Sequence, residues 1–129
     1  MADVRKMKET MIIIGSGAAG LSAALEFAKN GTKSILVSDM PSERAQSVMA
    51  EGGINAAVDT QEDSPELHAE ETMKAGRYIA DSKAVHQMTK EAPKIIKDLF
   101  EAGMAFTLNE DKKPDVRAFG GQSVKRTFF

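Results

Sequence analysis

A five-residue apolar stretch, Thr10-Met11-Ile12-Ile13-Ile14, runs straight into Gly15-Ser16-Gly17-Ala18-Ala19-Gly20, and this junction restricts the fold more than any other feature. Leu21, Ala24, Leu25 and Ala28 then recur at helical spacing through Lys29, and Asn30-Gly31 supplies a stop. Ser34-Ile35-Leu36-Val37-Ser38 reads as a second strand, so strand, helix and strand form a right-handed crossover. Each glycine has a physical task in that setting. Gly15 permits the tight exit from the strand, Gly17 removes a side chain where a pyrophosphate would lie, and Gly20 lets the helix approach the sheet. The N–H groups at the helix start would then receive phosphate charge. A glycine-rich packing turn is the competing reading. The flanking strands and the Ala-rich helix favour dinucleotide binding.

Composition narrows the remaining classes. Seventeen basic and 19 acidic residues give a net charge of -2, which offers a polyanion no general attraction, so nucleic acid is not an expected partner. Arg5, Lys6 and Lys8 precede an apolar run far too short to span a membrane or to form a signal sequence, and a cytoplasmic chain is expected. With no cysteine, the segment builds no disulfide, thiolate zinc site or iron–sulfur cluster of its own, and redox chemistry would need an organic cofactor. Met40, Met49, Met73, Met88 and Met104 fall in different segments and read as packing residues. Neither His68 nor His86 has the partners of a metal site, and each is expected at the surface or a helix end; no metal is expected.

Beyond the second strand, Ser38 and Asp39 sit where a ribose hydroxyl would be met, although Asp39 before Pro41 also reads as a solvent-facing turn residue. A polar loop, 41–47, leads into Val48-Met49-Ala50-Glu51-Gly52-Gly53-Ile54-Asn55-Ala56-Ala57-Val58, a stretch poor in bulk whose paired glycines allow close backbone approach to a flat ligand or simply make a flexible turn. The order GSGAAG, AQSVMAEGGINAA and RAFGGQS resembles the amino-terminal part of the succinate dehydrogenase and fumarate reductase flavoprotein subunits, with L-aspartate oxidase as a close relative. The resemblance covers nearly all of Thr10 to Phe129 and favours FAD over NAD.

The resemblance implies roles for particular residues. Gly15, Gly17, Ala18, Ala19 and Gly20 match the family's pyrophosphate loop, with Ser38 at its ribose position and Asp39 beside it. Ala45, Gln46, Ser47, Ala50, Glu51, Gly52 and Gly53 match the stretch that lines the isoalloxazine. Members that attach FAD covalently carry histidine where this chain has Gln46, so noncovalent FAD is expected. Phe119, Gly120 and Gly121 match the stretch beside the dicarboxylate pocket, whereas Phe119 read from composition alone is a core anchor. Arg117 and Arg126 suit carboxylates by charge, without matching the family's catalytic arginine.

The expected fold class is therefore α/β, an incomplete Rossmann-like FAD-binding fold that begins with a βαβ unit and continues into a helical segment. Within one cored domain we expect three stretches: 1–60 with the βαβ unit and flavin-facing loop, 61–105 helical, and 106–129 opening a substrate-proximal segment. The acidic run Gln61-Glu62-Asp63-Ser64 reads as a solvated face, and Pro65 as a helix start, with Leu67, Glu71, Ala75 and Tyr78 at helical spacing. Asp81 caps a helix with Val85 and Met88, Pro93 starts another with Ile95, Ile96, Leu99 and Phe100, and Gly103 ends it. Phe106-Thr107-Leu108 reads as a short strand before a polar loop at 109–115.

The implied activity is succinate–fumarate interconversion by hydride transfer at the flavin, in a longer parent protein with two kinds of partner, a membrane anchor and an iron–sulfur subunit. That arrangement would place it peripherally on the cytoplasmic face of the inner membrane. The resemblance puts the catalytic groups later in the chain, so the catalytic residues are unassigned and the isolated chain is expected to be an inactive fragment. An L-aspartate oxidase fragment and a noncatalytic dinucleotide-binding module are the alternatives.

Overall fold

The computed structural model describes residues 10–129, so Arg5, Lys6 and Lys8 lie outside the described residues. It divides into two compact units, one running through Glu51 and one from Gly52 to Phe129. The division falls inside the first of the three expected stretches.

In the first unit, β1 (Thr10–Ile14), α1 (Ala18–Lys29) and β2 (Lys33–Val37) make the expected crossover. The two strands pair in parallel from Thr10 opposite Lys33 to Ile14 opposite Val37, and Gly15 N–H extends the ladder to Val37 O at 2.8 Å. Gly15 has φ +105°, a value that glycine adopts without penalty and that turns the chain off β1. Asn30 caps α1 through its own amide, and Gly31 at φ +70° reverses the chain toward β2. The loop expected at 41–47 instead contains a 3₁₀ turn, Ser42–Arg44, and a short helix α2, Gln46–Met49. No residue of α1 is buried, and the β strands carry exposed aliphatic side chains, with Ile12 70% and Ile14 87% accessible.

The second unit holds β3 (Ile54–Asn55), α3 (Pro65–Ala75), α4 (Ser82–Glu101), β4 (Val116–Arg117) and β5 (Thr127–Phe128). The three short strands form an antiparallel sheet in the order β3-β5-β4. Ser64 caps α3, its hydroxyl accepting from Leu67 N–H at 3.0 Å, with Pro65 in the first turn. Helical geometry stops at Ala75 rather than reaching Tyr78, because Arg77 and Tyr78 take φ of 52° and 59° after Gly76. The core joins Ala56, Ala92, Ile96, Phe106 and Phe128, with the two phenylalanine rings edge-to-face at 6.2 Å between centroids.

Two expectations about the helices and strands need correction. Asp81 does cap a helix, accepting from Lys83 and Ala84 N–H, but that helix continues unbroken through Pro93 to Glu101. An interior proline costs roughly 3 kcal/mol. The buried stripe Val85, Thr89, Ala92 and Ile96 runs on both sides of Pro93, and its packing offsets that cost. Phe106-Thr107-Leu108 is not a strand: Thr107 exchanges single backbone bonds with Phe129 and Asp115, and Leu108 makes one isolated bridge to Pro114. Phe106 serves the core instead.

Candidate functional site

The glycine turn of the first unit has the shape its spacing predicts. A Cβ placed on Gly20 would lie 1.9 Å from the carbonyl oxygen of Gly15, so α1 leaves β1 at a distance that only glycine allows. Gly17 is the N-cap of α1 with no side-chain capping bond, and the first turn of the helix contains no acidic residue. A Cβ on Gly17 would meet only the hydroxyl of Ser47, at 3.2 Å. The start of α1 is thus a positive helix end whose own first turn carries no acidic side chain and whose nearest neighbour at Gly17 is the small Ser47 hydroxyl, which suits a pyrophosphate.

Two serines tie neighbouring segments to this turn. Ser47 Oγ accepts from Ala18 N–H at 3.0 Å, bringing the stretch that begins at Gln46 against the start of α1. Ser16 Oγ donates to Ser38 Oγ at 2.9 Å, joining the glycine turn to the end of β2. Asp39 follows Ser38 in an exposed bend. Gln46 opens α2 and is exposed, and Ala50 and Glu51 continue from α2 as exposed chain, while Ala45 is buried. The role of Ser16 and its contact to Ser38 escape sequence reasoning, because a serine between two glycines carries no distinctive signal.

In the second unit the paired glycines differ. Gly52 has open space where a side chain would stand. Gly53 has φ +93°, and a Cβ there would lie 2.2 Å from Phe128 O, so its close approach is to β5 of the same unit. Phe119 is 54% exposed, which corrects the core-anchor reading, and it lies in a turn with Gly120 and Gly121, the latter at φ +86°. The Arg117 guanidinium sits 5.7 Å from the Phe119 ring centroid and 4.5 Å from that of Phe129, and donates to Gly52 O at 3.1 Å.

Arg126 is not a carboxylate-binding group for a ligand. It is 1% exposed, and its Nε and Nη2 donate to the two Asp63 oxygens at 2.8 Å each while Nη1 donates to Glu71 at 2.5 Å. Asp63 is therefore buried in an ion pair rather than part of a solvated acidic face. Burial pushes the Glu71 carboxyl up, but hydrogen bonds from Ser123 and Arg126 outweigh it and leave the group below its ordinary value. His68 is buried within α3 rather than at the surface, and burial followed by the Arg126 charge lowers its pKa. Its Nδ1 has no hydrogen-bond partner among the described residues. Local spacing carries no sign of this cluster, since Arg126 meets acids more than fifty positions away.

The FAD binding domain family matches residues 10–129. The chain is 43% identical over 123 residues to a fumarate reductase (CoM/CoB) polypeptide of Methanothermobacter marburgensis, covering 92% of this chain and 22% of that protein. It is 37% identical over 124 residues to the succinate dehydrogenase flavoprotein subunit of Bacillus subtilis, covering 95% and 21%. A mutant of E. coli quinol fumarate reductase superposes with a TM-score of 0.84 at 31% identity, over 94% of this chain and 22% of that one. The chain thus spans about a fifth of the length of the curated relatives it matches. No helix among the described residues is long and apolar enough to cross a membrane.

Proposed function

The chain belongs to the FAD-binding family of the succinate dehydrogenase and fumarate reductase flavoproteins, and from that premise we propose that it is the cofactor-entry segment of a flavoprotein that interconverts succinate and fumarate. FAD is the cofactor of this domain, and the α/β fold opening with a parallel βαβ unit is the one it uses. The observation that carries the proposal is the start of α1, where a Gly17 Cβ would meet only the Ser47 hydroxyl and the first helical turn carries no acidic side chain.

Gly15, Gly17, Ala18, Ala19 and Gly20 form the pyrophosphate turn: the Gly15 N–H is bonded to Val37 O and the Ala18 N–H to Ser47 Oγ, so the phosphate charge falls to the N–H groups of Gly17, Ala19 and Gly20 and to the helix dipole. Ser38 and Asp39 take the ribose hydroxyls. Gln46, Ser47, Ala50, Glu51, Gly52 and Gly53 border the isoalloxazine, and Phe119, Gly120 and Gly121 form one wall of the dicarboxylate pocket. When bound, FAD supplies the two-electron chemistry, exchanging a hydride with one carbon of the dicarboxylate. The partners proposed for the parent protein are a membrane anchor and an iron–sulfur subunit, which would hold it at the cytoplasmic face of the inner membrane.

The test is equilibrium binding and anaerobic turnover by the parent flavoprotein. FAD is expected to bind in preference to NAD, and a reduced artificial donor is expected to drive fumarate reduction. Tight NAD binding without FAD binding would sink the proposal, and flavin-dependent oxidation of L-aspartate in place of succinate would move it to an aspartate oxidase. A second expected result concerns attachment. Gln46 stands exposed at the start of α2 with an amide in place of an imidazole nucleophile. Acid precipitation should therefore release all of the flavin, and fluorescence retained on the protein after denaturing electrophoresis would contradict it.

A further inference from the structure

We propose that Thr127 is a positioning residue that sets the Phe119–Gly121 turn against the strand that follows Gly53. The inference rests on the reading above that the turn borders the dicarboxylate and the glycine pair borders the flavin. Thr127 lies in β5, is 2% exposed, and its two side-chain branches serve the two segments separately. The methyl group lies against Gly53, where an added Cβ would come within 2.9 Å of it. The hydroxyl belongs to a directed chain of hydrogen bonds.

Proton counting gives the direction. Phe119 N–H can only donate, and its 3.1 Å contact therefore assigns the carbonyl oxygen of the Gln122 amide to that end. Gln122 Nε2 is then left to donate to Thr127 Oγ at 3.0 Å. Thr127 has one proton and two acceptors within reach, Asn55 Oδ1 at 2.7 Å and Gln122 Oε1 at 3.3 Å, and the shorter contact takes it. Asn55 is in β3, two residues from Gly53, so the relay runs from the strand after the glycine pair to the backbone of Phe119 itself. The other end of the turn is held independently, by Ser123 N–H donating to Glu71 at 2.9 Å. Thr127 thus controls the Phe119 end while the ion-pair cluster controls the Ser123 end.

A buried hydroxyl with one donor and one acceptor partner has a function that an isosteric valine cannot replace. In the FAD-loaded parent protein, Thr127→Val should raise KM for succinate and for fumarate about three- to tenfold, the range for one net hydrogen bond. Turnover per bound flavin should stay within about twofold, since the interaction lost is one that ground state and transition state share. Thr127→Ser, which keeps the hydroxyl, should restore KM even if the lost methyl lowers the melting temperature. If the valine variant does not accumulate, Gln122→Met removes the same relay from a half-buried position and should give the same rise. A parent protein with no dicarboxylate turnover would overturn the functional reading and this inference together. Wild-type turnover with unchanged KM in Thr127→Val or Gln122→Met would overturn this inference alone, as would a serine variant whose KM matches that of valine.

Discussion

Replacing Arg126 with alanine is expected to destabilise the second unit by about 3–5 kcal/mol, the usual cost of removing one partner from a buried ion pair. Three charge-assisted hydrogen bonds disappear at once, and the Asp63 carboxylate is left buried without its guanidinium. Most of the loss comes from that stranded charge and not from the forgone attraction. Urea denaturation followed by circular dichroism on the parent protein would read it, and a shift below about 1 kcal/mol would contradict the burial argument. Removing the acids together with the arginine, as Asp63→Leu, Glu71→Gln and Arg126→Met, should cost less than Arg126→Ala alone. The effect should also depend on pH. The Glu71 carboxyl is lowered in the fold, so its contribution is complete above the ordinary carboxylate value and is lost as pH falls through the lower folded value. His68, lowered by burial, favours the folded state most above its ordinary value of 6.5, and that advantage diminishes as pH falls from there. Acidification should therefore bring the wild type and the Arg126→Ala variant closer together in stability.

Gly20→Val is expected to give a parent protein that purifies with less than about a tenth of the wild-type FAD. The Cβ would overlap a backbone oxygen at 1.9 Å, and since Gly15 O belongs to the turn itself, neither side can yield without moving α1 off β1. Overpacking costs of about 1–3 kcal/mol apply where side chains can adjust, and here none is available to do so. Gly17→Val is the informative companion. Its Cβ would meet only a serine hydroxyl, at 3.2 Å, so the fold should survive while the added methyl groups enter the space assigned to the pyrophosphate. Loss of flavin from Gly17→Val with a native circular dichroism spectrum would separate binding from folding. Unchanged FAD affinity in that variant would mean that the strand-to-helix turn does not hold the phosphates.

The contrast between these two regions explains what was legible in the residues alone. β1 and the glycine turn are readable because every signal lies within about thirty consecutive residues: an aliphatic run, a positive-φ glycine, a helix of small residues and a second aliphatic run. The three-stranded sheet is not, since its strands are two residues long and Ile54 pairs with Phe128 across most of the second unit. Pro93 misleads because its local penalty is visible in the sequence, while the buried stripe that outweighs it emerges only when Val85 through Ile96 is taken as one face. Asp63 and His68 mislead for a related reason. Polar residues near a loop look solvated until the distant arginine that shares their burial is known. At the candidate site, the glycines are legible as backbone requirements, but the serine contacts that draw Ser47 to Ala18 and Ser16 to Ser38 depend on the fold being formed.

The uncovered aliphatic side chains of β1 and β2 also bear on timing. Ile12 and Ile14 stand among the first residues of the described chain, and the pairing of β1 with β2 leaves them largely exposed. In a parent of the relatives' length that carries this crossover at its amino-terminal end, well over four-fifths of the polypeptide would still be unmade when the crossover could first form. At ribosomal rates of about 5–20 residues per second, that leaves an adhesive surface waiting for tens of seconds. Such a nascent chain is a natural client for chaperones that hold aliphatic segments, and its yield in cells should depend on them more steeply than its final stability does.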